Sequence, residues 1–305
     1  MIDLALAVAC SLGIGMIFKH AAQQAMDRLA LLTVNYAAAA IVAIVSLWLG
    51  LQPIEGGGLT ASAELLVLGG VTGVLFIAGF FVFALATQVA GMGLAVAVQR
   101  LAVVIPFLAS WAIWNEVPTT PQRLGLLLGG VAFFLIAFRP EESEEPASTS
   151  PAAAGLRLPV TPALRTFGVL ALLFVVAGTV DVSMKAFDEL FAATNSRAFF
   201  LLLVFGVALV VGLGFVLRDG LQHNRWPTQA EVWWGVGLGI INYGSVLFFL
   251  RAIEALSGPF VFPANHIALV IGAALLGVYF WGERLRPMNW AGLALAAGAL
   301  VLLNL

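Results

Sequence analysis

The sequence predicts an all-α polytopic membrane protein of ten transmembrane helices arranged as two inverted five-helix repeats. Three observations lead there. Of the 305 residues, 62 % are hydrophobic and only 10 % charged, and the mean hydropathy is +1.04. A soluble domain carries roughly 25 % charged residues. The apolar residues fall into ten runs, each near the about 20 residues that cross a hydrocarbon core. Two of these runs end in the same word, "AIWNEVPTT" and "YFWGERLRP", with Trp114 and Trp281, and Glu116 and Glu283, each 167 residues apart.

In chain order the spans fall at 2–20, 29–51, 65–88, 92–114, 122–139, 165–187, 196–217, 231–253, 258–281 and 288–305, with Gly, Pro, Asn or charge in most of the gaps. The opening "MIDLALAVACSLGIGMIF" has no positive n-region, and Lys19, His20 and Arg28 follow its apolar run. It reads as a first transmembrane helix and not as a cleaved signal. The runs are too long and too uniformly apolar for barrel strands. Seven of the eight Trp lie within about a turn of a span end, the headgroup level that Trp prefers, and Trp111 is one turn further in. The single Cys10 excludes an internal disulfide and cannot build a zinc site. With a formal charge of −2 and no large basic cluster, no nucleic-acid partner is expected.

Residues 139–162, "RPEESEEPASTSPAAAGLRLPVTP", break the pattern with Glu, Ser, Pro and Ala that cannot bury themselves. They divide the chain into a first repeat over 1–139, a polar linker over 140–164 and a second repeat over 165–305. Aligning the halves on Trp-x-Glu also superposes Gly91 on Gly258 and Gly125 on Gly292, and sets Lys19 within one residue of Lys185. An odd number of spans per half makes the second copy enter from the opposite face, which is the architecture of alternating-access carriers. Loops on the side away from the N-terminus hold Arg28, Arg139, Arg157, Arg165, Arg218, Arg225, Arg284 and Arg286, against Arg123, Arg197 and Arg251 on the other. The positive-inside rule then sets both termini outside a cell (inner, cytoplasmic) membrane.

These features resemble the drug/metabolite transporter superfamily, with two EamA-like repeats of five helices each. The likeness rests on the fourth-span ending "WNE" and its twin "WGE", and on Gly91 and Gly258 before those spans. It rests also on the fifth-helix patterns "GLLLGGVAFFLIAF" and "AGLALAAGALVLL" and on the 5+5 length. It covers nearly the whole chain, is specific for fold, and is weak for substrate. The superfamily handles amino acids, nucleotide sugars, phosphorylated sugars, drugs and other metabolites.

A charge at mid-membrane costs about 2.5–3.5 kcal/mol on insertion scales, so ionisable residues inside spans mark candidate sites. Arg100, in "AVAVQRLAVVIPF", lies some eight residues into the fourth span beside Gln99. The 167-residue offset makes His266, in "FVFPANHIALVIG" and preceded by Asn265, the counterpart of Gln99. Pro106, Pro259 and Pro263 sit inside the same two spans, and each exposes a carbonyl that is tolerated only beside protein or a wet cavity. These four polar residues are expected to line a substrate pathway; the alternative is bonding to neighbouring helices, with Arg100 snorkelling. Asp181 and Lys185 share a helix face at i,i+4 and form either a self-neutralised pair or, with His266, an ion-coupling group. Removing a carboxylate from water favours its protonated form, which would suit proton coupling through Asp181.

Lys19, near its helix end, is a further substrate-binding candidate. So are Asn35–Tyr36 and Asn242–Tyr243, which use two of the three tyrosines. Interhelical bonding explains these last four equally well. Glu116 and Glu283, at helix exits, are expected to cap or lock loops.

Three function classes follow. The leading one is a secondary transporter moving a small polar metabolite, anionic or zwitterionic and amino-acid-like, by alternating access, with protons as the candidate coupling ion. A variant of it is an exporter of drugs or other hydrophobic metabolites. The others are a channel- or scramblase-like bundle, for which no filter loop or charge ring is present, and a membrane-embedded enzyme. Neither His-Glu-x-x-His nor Gly-x-Ser-x-Gly occurs, and no cofactor or metal is implied. The expected assembly is a monomer or weak homodimer.

Overall fold

A computed structural model describes residues 1–50, 61–90, 92–137, 162–282 and 287–305. Gly91, Arg139, Arg157, Glu283, Arg284 and Arg286 lie outside them, as does the linker expected at 140–164 apart from its last three residues, which open a helix.

Among the described residues the chain forms eleven α-helices: α1 (Ile2–Gln23), α2 (Arg28–Trp48), α3 (Ala63–Ala90), α4 (Met92–Leu101), α5 (Val104–Trp114), α6 (Thr120–Ala137), α7 (Pro162–Phe191), α8 (Arg197–His223), α9 (Gln229–Ala255), α10 (Gly258–Trp281) and α11 (Pro287–Leu303). Eight segments are long and apolar enough to cross a membrane, α4 and α5 together supplying one of them. The all-helical polytopic membrane fold expected from composition is therefore the one observed. The ten expected spans agree with the helices to within a few residues, with two differences that matter.

The first is the split of the fourth span. Pro106 has no N–H for the Ala102 carbonyl, and its ring would crowd that oxygen in a continuous helix. The ladder tightens instead: Val103 donates to the Arg100 carbonyl (3.3 Å) and Ile105 to the Ala102 carbonyl (3.0 Å), each three residues back. Arg100 thereby falls in the last turn of a half-helix, where the exposed carbonyl ends favour a cation. The second is the length of α7, which runs to Phe191. Asp181 is then ten residues, roughly 15 Å of rise, from the helix end, deeper than a helix ending at 187 would put it.

Helix ends follow local chemistry. The Asp27 carboxylate accepts from the N–H of Leu29 (2.8 Å) and Ala30 (3.4 Å) and starts α2. Thr228 and Glu231 form a capping box on α9, and Glu231 also accepts from the Asp27 N–H (2.7 Å), so one carboxylate ties the starts of α2 and α9. The repeated Trp-x-Glu has a conformational reason. Its middle residue is left-handed in both copies, Asn115 at φ 56° and Gly282 at φ 62°, and Asn and Gly are the residues that tolerate this conformation best. After Asn115 the Glu116 N–H closes back on the Ser110 carbonyl (3.1 Å), ending α5.

The helices pack as two compact units, each drawing on both halves of the sequence. Unit 1 comprises Met1–Ile77 and Val182–Val261, and unit 2 comprises Ala78–Asp181 and Phe262–Leu305. In unit 1, α2 packs against both α8 and α9, and α1 against α9. In unit 2, α6 packs on α11 and α4. Glycines make these approaches possible. A Cβ at Gly239 would collide with the Asn35 carbonyl on α2, and one at Gly125 would lie 2.9 Å from Leu303 on α11.

Candidate functional site

Unit 2 carries a buried charged centre. His266 stands on α10 three residues after the helix-interior Pro263, and its Nε2 lies 3.0 Å from Asp181 Oδ2 on α7. The two side chains are 9 % and 17 % exposed, so the contact is largely out of water. Arg100, half-buried at the end of α4, is within electrostatic reach of the Asp181 carboxylate. Close packing holds the parts together. Gly178, one turn before Asp181, admits the Ile105 side chain just past the α4–α5 break. Gly129 on α6 admits Ile267, the residue after His266. Removing either partner of such a pair would leave an uncompensated buried charge or dipole.

The pair is only partly satisfied by protein. His266 Nδ1 and Asn265 Oδ1 are buried and meet no hydrogen-bond partner among the described residues. Gln99, half-buried on α4, is one residue from Arg100. The sequence expectation that Gln99, Arg100, Asn265 and His266 belong to matching helices thus places all four in one unit.

Unit 1 holds a different set. Asn242 Nδ2 donates to Asn35 Oδ1 (3.1 Å), joining α9 to α2, while Asn35 Nδ2 has no partner among the described residues. Tyr36 is fully buried, stacks on Phe205 at 6.3 Å between ring centroids, and has no partner for its hydroxyl among the described residues. Tyr243 is buried one residue from Asn242. Two residues after Tyr243, Ser245 bonds Ser11 of α1 at 2.7 Å. Lys19 is half-buried near the end of α1.

Lys185 is 2 % exposed, and it pairs with Glu189 one turn further along α7 at 2.6 Å. Arg197 beyond it bridges Glu254 (2.6 Å) and Asp188 (3.8 Å). Glu189, Asp188, Arg197 and Glu254 were not among the expected site residues. Ending α7 at 187 put the first two outside a helix, and Arg197 counted only as a loop charge. The Lys185–Glu189 spacing was the available signal.

Among the described residues no three His, Cys, Asp or Glu side chains group to hold a metal. A cavity of about 310 Å³ in unit 1 is bordered by Asp27, Asp219, Arg225 and Glu231, but Asp27 and Glu231 are spent on helix caps.

Comparisons with known proteins bear on the family and the fold. The profile of the EamA-like transporter family matches residues 166–305. A protein of Sinorhizobium sp, described as "uncharacterized transporter in cobO 3'region", is 34 % identical over 98 residues, 32 % of this chain and 69 % of that protein. An uncharacterised protein of Haemophilus influenzae is 23 % identical over 304 residues, covering 98 % of this chain and 96 % of its own length. One solved crystal structure, 16 % identical, superposes with a TM-score of 0.71 over 99 % of this chain and 98 % of that one, a likeness of fold.

Proposed function

Because the chain belongs to the EamA-like transporter family of the drug/metabolite transporter superfamily, we propose that it is a secondary transporter of a small polar metabolite, anionic or zwitterionic and amino-acid-like. Transport would proceed by alternating access between inverted repeats over 1–139 and 165–305, joined by the linker at 140–164. The observation that carries this reading is the 3.0 Å Asp181–His266 contact with Arg100 in reach, a charged centre within apolar helices. Such groups are expensive in a bilayer and are retained where a pathway uses them.

In this reading Arg100 receives the substrate's negative end, and Gln99, Asn265 and His266 supply hydrogen bonds. Asn35, Tyr36, Asn242 and Tyr243 contribute polar lining, with Lys19 and Lys185 adding positive potential towards the helix ends. Asp181 and His266, with Lys185 on the same helix as Asp181, couple transport to protons, since imidazole alone has a free pKa close to neutrality. The protein would reside in the cell membrane with both termini outside, act without a cofactor, and function as a monomer or weak homodimer.

The test is a thermal-stability screen of the purified protein against a metabolite library across pH. A substrate should stabilise the wild type by about 2.7 kcal/mol at 100 times its Kd and fail to stabilise Arg100→Ala or His266→Ala. A metabolite that stabilises all three equally would remove Arg100 and His266 from the site. Saturable, gradient-dependent uptake of the same compound in proteoliposomes would then separate a carrier from a channel.

A further inference from the structure

The cavity of about 310 Å³ in unit 1 lies where the α1–α2 turn faces the α8–α9 turn. Its volume is at the small end of the about 300–1,000 Å³ usual for ligand pockets, which suits a headgroup-sized molecule. Local chain chemistry shapes its rim. Asn224, left-handed at φ 54°, ends α8 and turns the chain. Trp226 then folds back on α8, its ring 2.9 Å from where a Cβ at Gly220 would stand, and Arg225 and Trp226 border the cavity. Trp226 is exposed, as are Trp233 and Trp234 in the first two turns of α9. Exposed Trp collects at the headgroup level of a bilayer, so this end of unit 1 stands there.

The charges around the cavity differ in how they are occupied. Both Glu231 oxygens accept backbone N–H groups, from Asp27 and from Thr228, at 2.7 Å each. Asp27 Oδ1 accepts from Leu29 and Ala30. Asp219 Oδ1 lies 2.8 Å from His223 Nδ1, while its Oδ2 has no hydrogen-bond partner among the described residues. Arg225 is within electrostatic reach of Glu231, yet its guanidinium makes no hydrogen bond or ion pair among the described residues. An anion alone would meet three carboxylates, Asp27, Asp219 and Glu231, against one guanidinium, and a cation alone would be opposed by Arg225. A purely basic pocket takes anionic headgroups; this mixed one suits a molecule that carries both charges.

We propose that this cavity holds the phosphoethanolamine headgroup of an aminophospholipid, with the phosphate on Arg225 and the primary ammonium on Asp219. The guanidinium fork matches phosphate oxygens in a bidentate contact, and the ammonium brings the N–H that Asp219 Oδ2 lacks. A choline headgroup has the phosphate but no N–H for the carboxylate, and a glycerol headgroup has no cation for it. A soluble phosphoethanolamine compound carries the same two charges. The Trp at this level favour the lipid, whose acyl chains stay in the bilayer while its headgroup enters the cavity. Bound there, the lipid fastens the turn of Arg225 to the end of α8, beside the junction where Glu231 already ties the starts of α2 and α9. The inference does not depend on what the chain transports.

The experiment uses the full chain, delipidated in an uncharged detergent, and follows its thermal unfolding during titration with dihexanoyl lipids that differ only in headgroup. Phosphatidylethanolamine should raise the wild-type melting temperature saturably. Phosphatidylcholine and phosphatidylglycerol should need about tenfold or more higher concentration for the same rise, the scale of a lost hydrogen bond to a charged group. Arg225→Ala and Asp219→Asn should each weaken the ethanolamine lipid by a similar factor, and Arg225→Lys should recover part of it. In Asp219→Asn the ethanolamine and choline lipids should become equal. Equal responses of the wild type to all three lipids, or a wild-type response from Arg225→Ala, would overturn the site. Soluble glycerophosphoethanolamine separates the sources: stabilisation at the same concentration as the lipid would overturn the lipid assignment. Should a variant fail to fold, native mass spectrometry of the wild type decides alone, since preferential retention of the ethanolamine lipid is expected and equal retention of the three contradicts it.

Discussion

Two regions of the molecule bury polar groups in apolar helices, but of opposite kinds. In unit 1, α2 and α1 are tied to α9 through neutral side chains, Asn35 to Asn242 at 3.1 Å and Ser11 to Ser245 at 2.7 Å, and the unit's ion pairs, Lys185–Glu189 and Arg197–Glu254, lie near the ends of α7, α8 and α9. Neither the amides nor the hydroxyls change charge over the physiological range. Unit 2 joins α7 to α10 through Asp181 and His266, with Arg100 nearby. A neutral amide pair adds a modest, permanent tie between membrane helices, about 0.6 kcal/mol on average. A buried ion pair is a poor stabiliser, because desolvation offsets its attraction. The amide tie holds helices together at little cost, and the cost of burying the charged pair is what motivates the proposal that a pathway uses it.

The comparison can be broken where the expected effect is largest. Arg100→Ala or His266→Ala should lower uptake of an identified substrate by about 100-fold, the scale of a lost charge-assisted hydrogen bond, measured per folded protein because the uncompensated Asp181 carboxylate should also lower the melting temperature. Asn35→Ala should cost nearer tenfold, appearing in KM. If the Asn35 variant is the more damaged, the assignment of function to unit 2 is reversed.

A smaller effect tests the scaffold. Gly239→Ala sets a Cβ against the Asn35 carbonyl and should destabilise the protein by about 1–3 kcal/mol, read as a lowered melting temperature in detergent. Gly237→Ala, two residues away, meets nothing within 4 Å and should be neutral or slightly stabilising. The smallest effect is the coupling between Asn35 and Asn242. A double-mutant cycle with Leu at both positions should return about 0.6 kcal/mol, and a value above about 1.7 kcal/mol would mean that the pair does more than tie two helices.

Much of the fold was legible because a bilayer permits few solutions: every buried backbone group must be bonded within its own segment, so apolar run length gives the helices directly. Trp-x-Glu was legible for a similarly local reason, since Asn115 and Gly282 each end a helix in a left-handed conformation. Pro106 marked the fourth span as special, and the α4–α5 break lies where its missing N–H requires it.

Tertiary pairing was not legible. Asp181 and His266 are separated by 85 residues, and Asn35 and Asn242 by 207, with no local pattern linking either pair. Spacing along one helix, such as Asp181 to Lys185, is visible in sequence, and packing between helices is not. The partition into units that mix the two halves is hidden for the same reason.

The most direct test of the charged centre is uptake of the screened substrate into proteoliposomes under an imposed pH gradient, comparing the wild type with Asp181→Asn. The wild type should accumulate substrate against its own gradient, with the direction reversing when the pH gradient is reversed, and Asp181→Asn should show no accumulation in either direction. Equal, gradient-driven accumulation by both proteins would contradict the account.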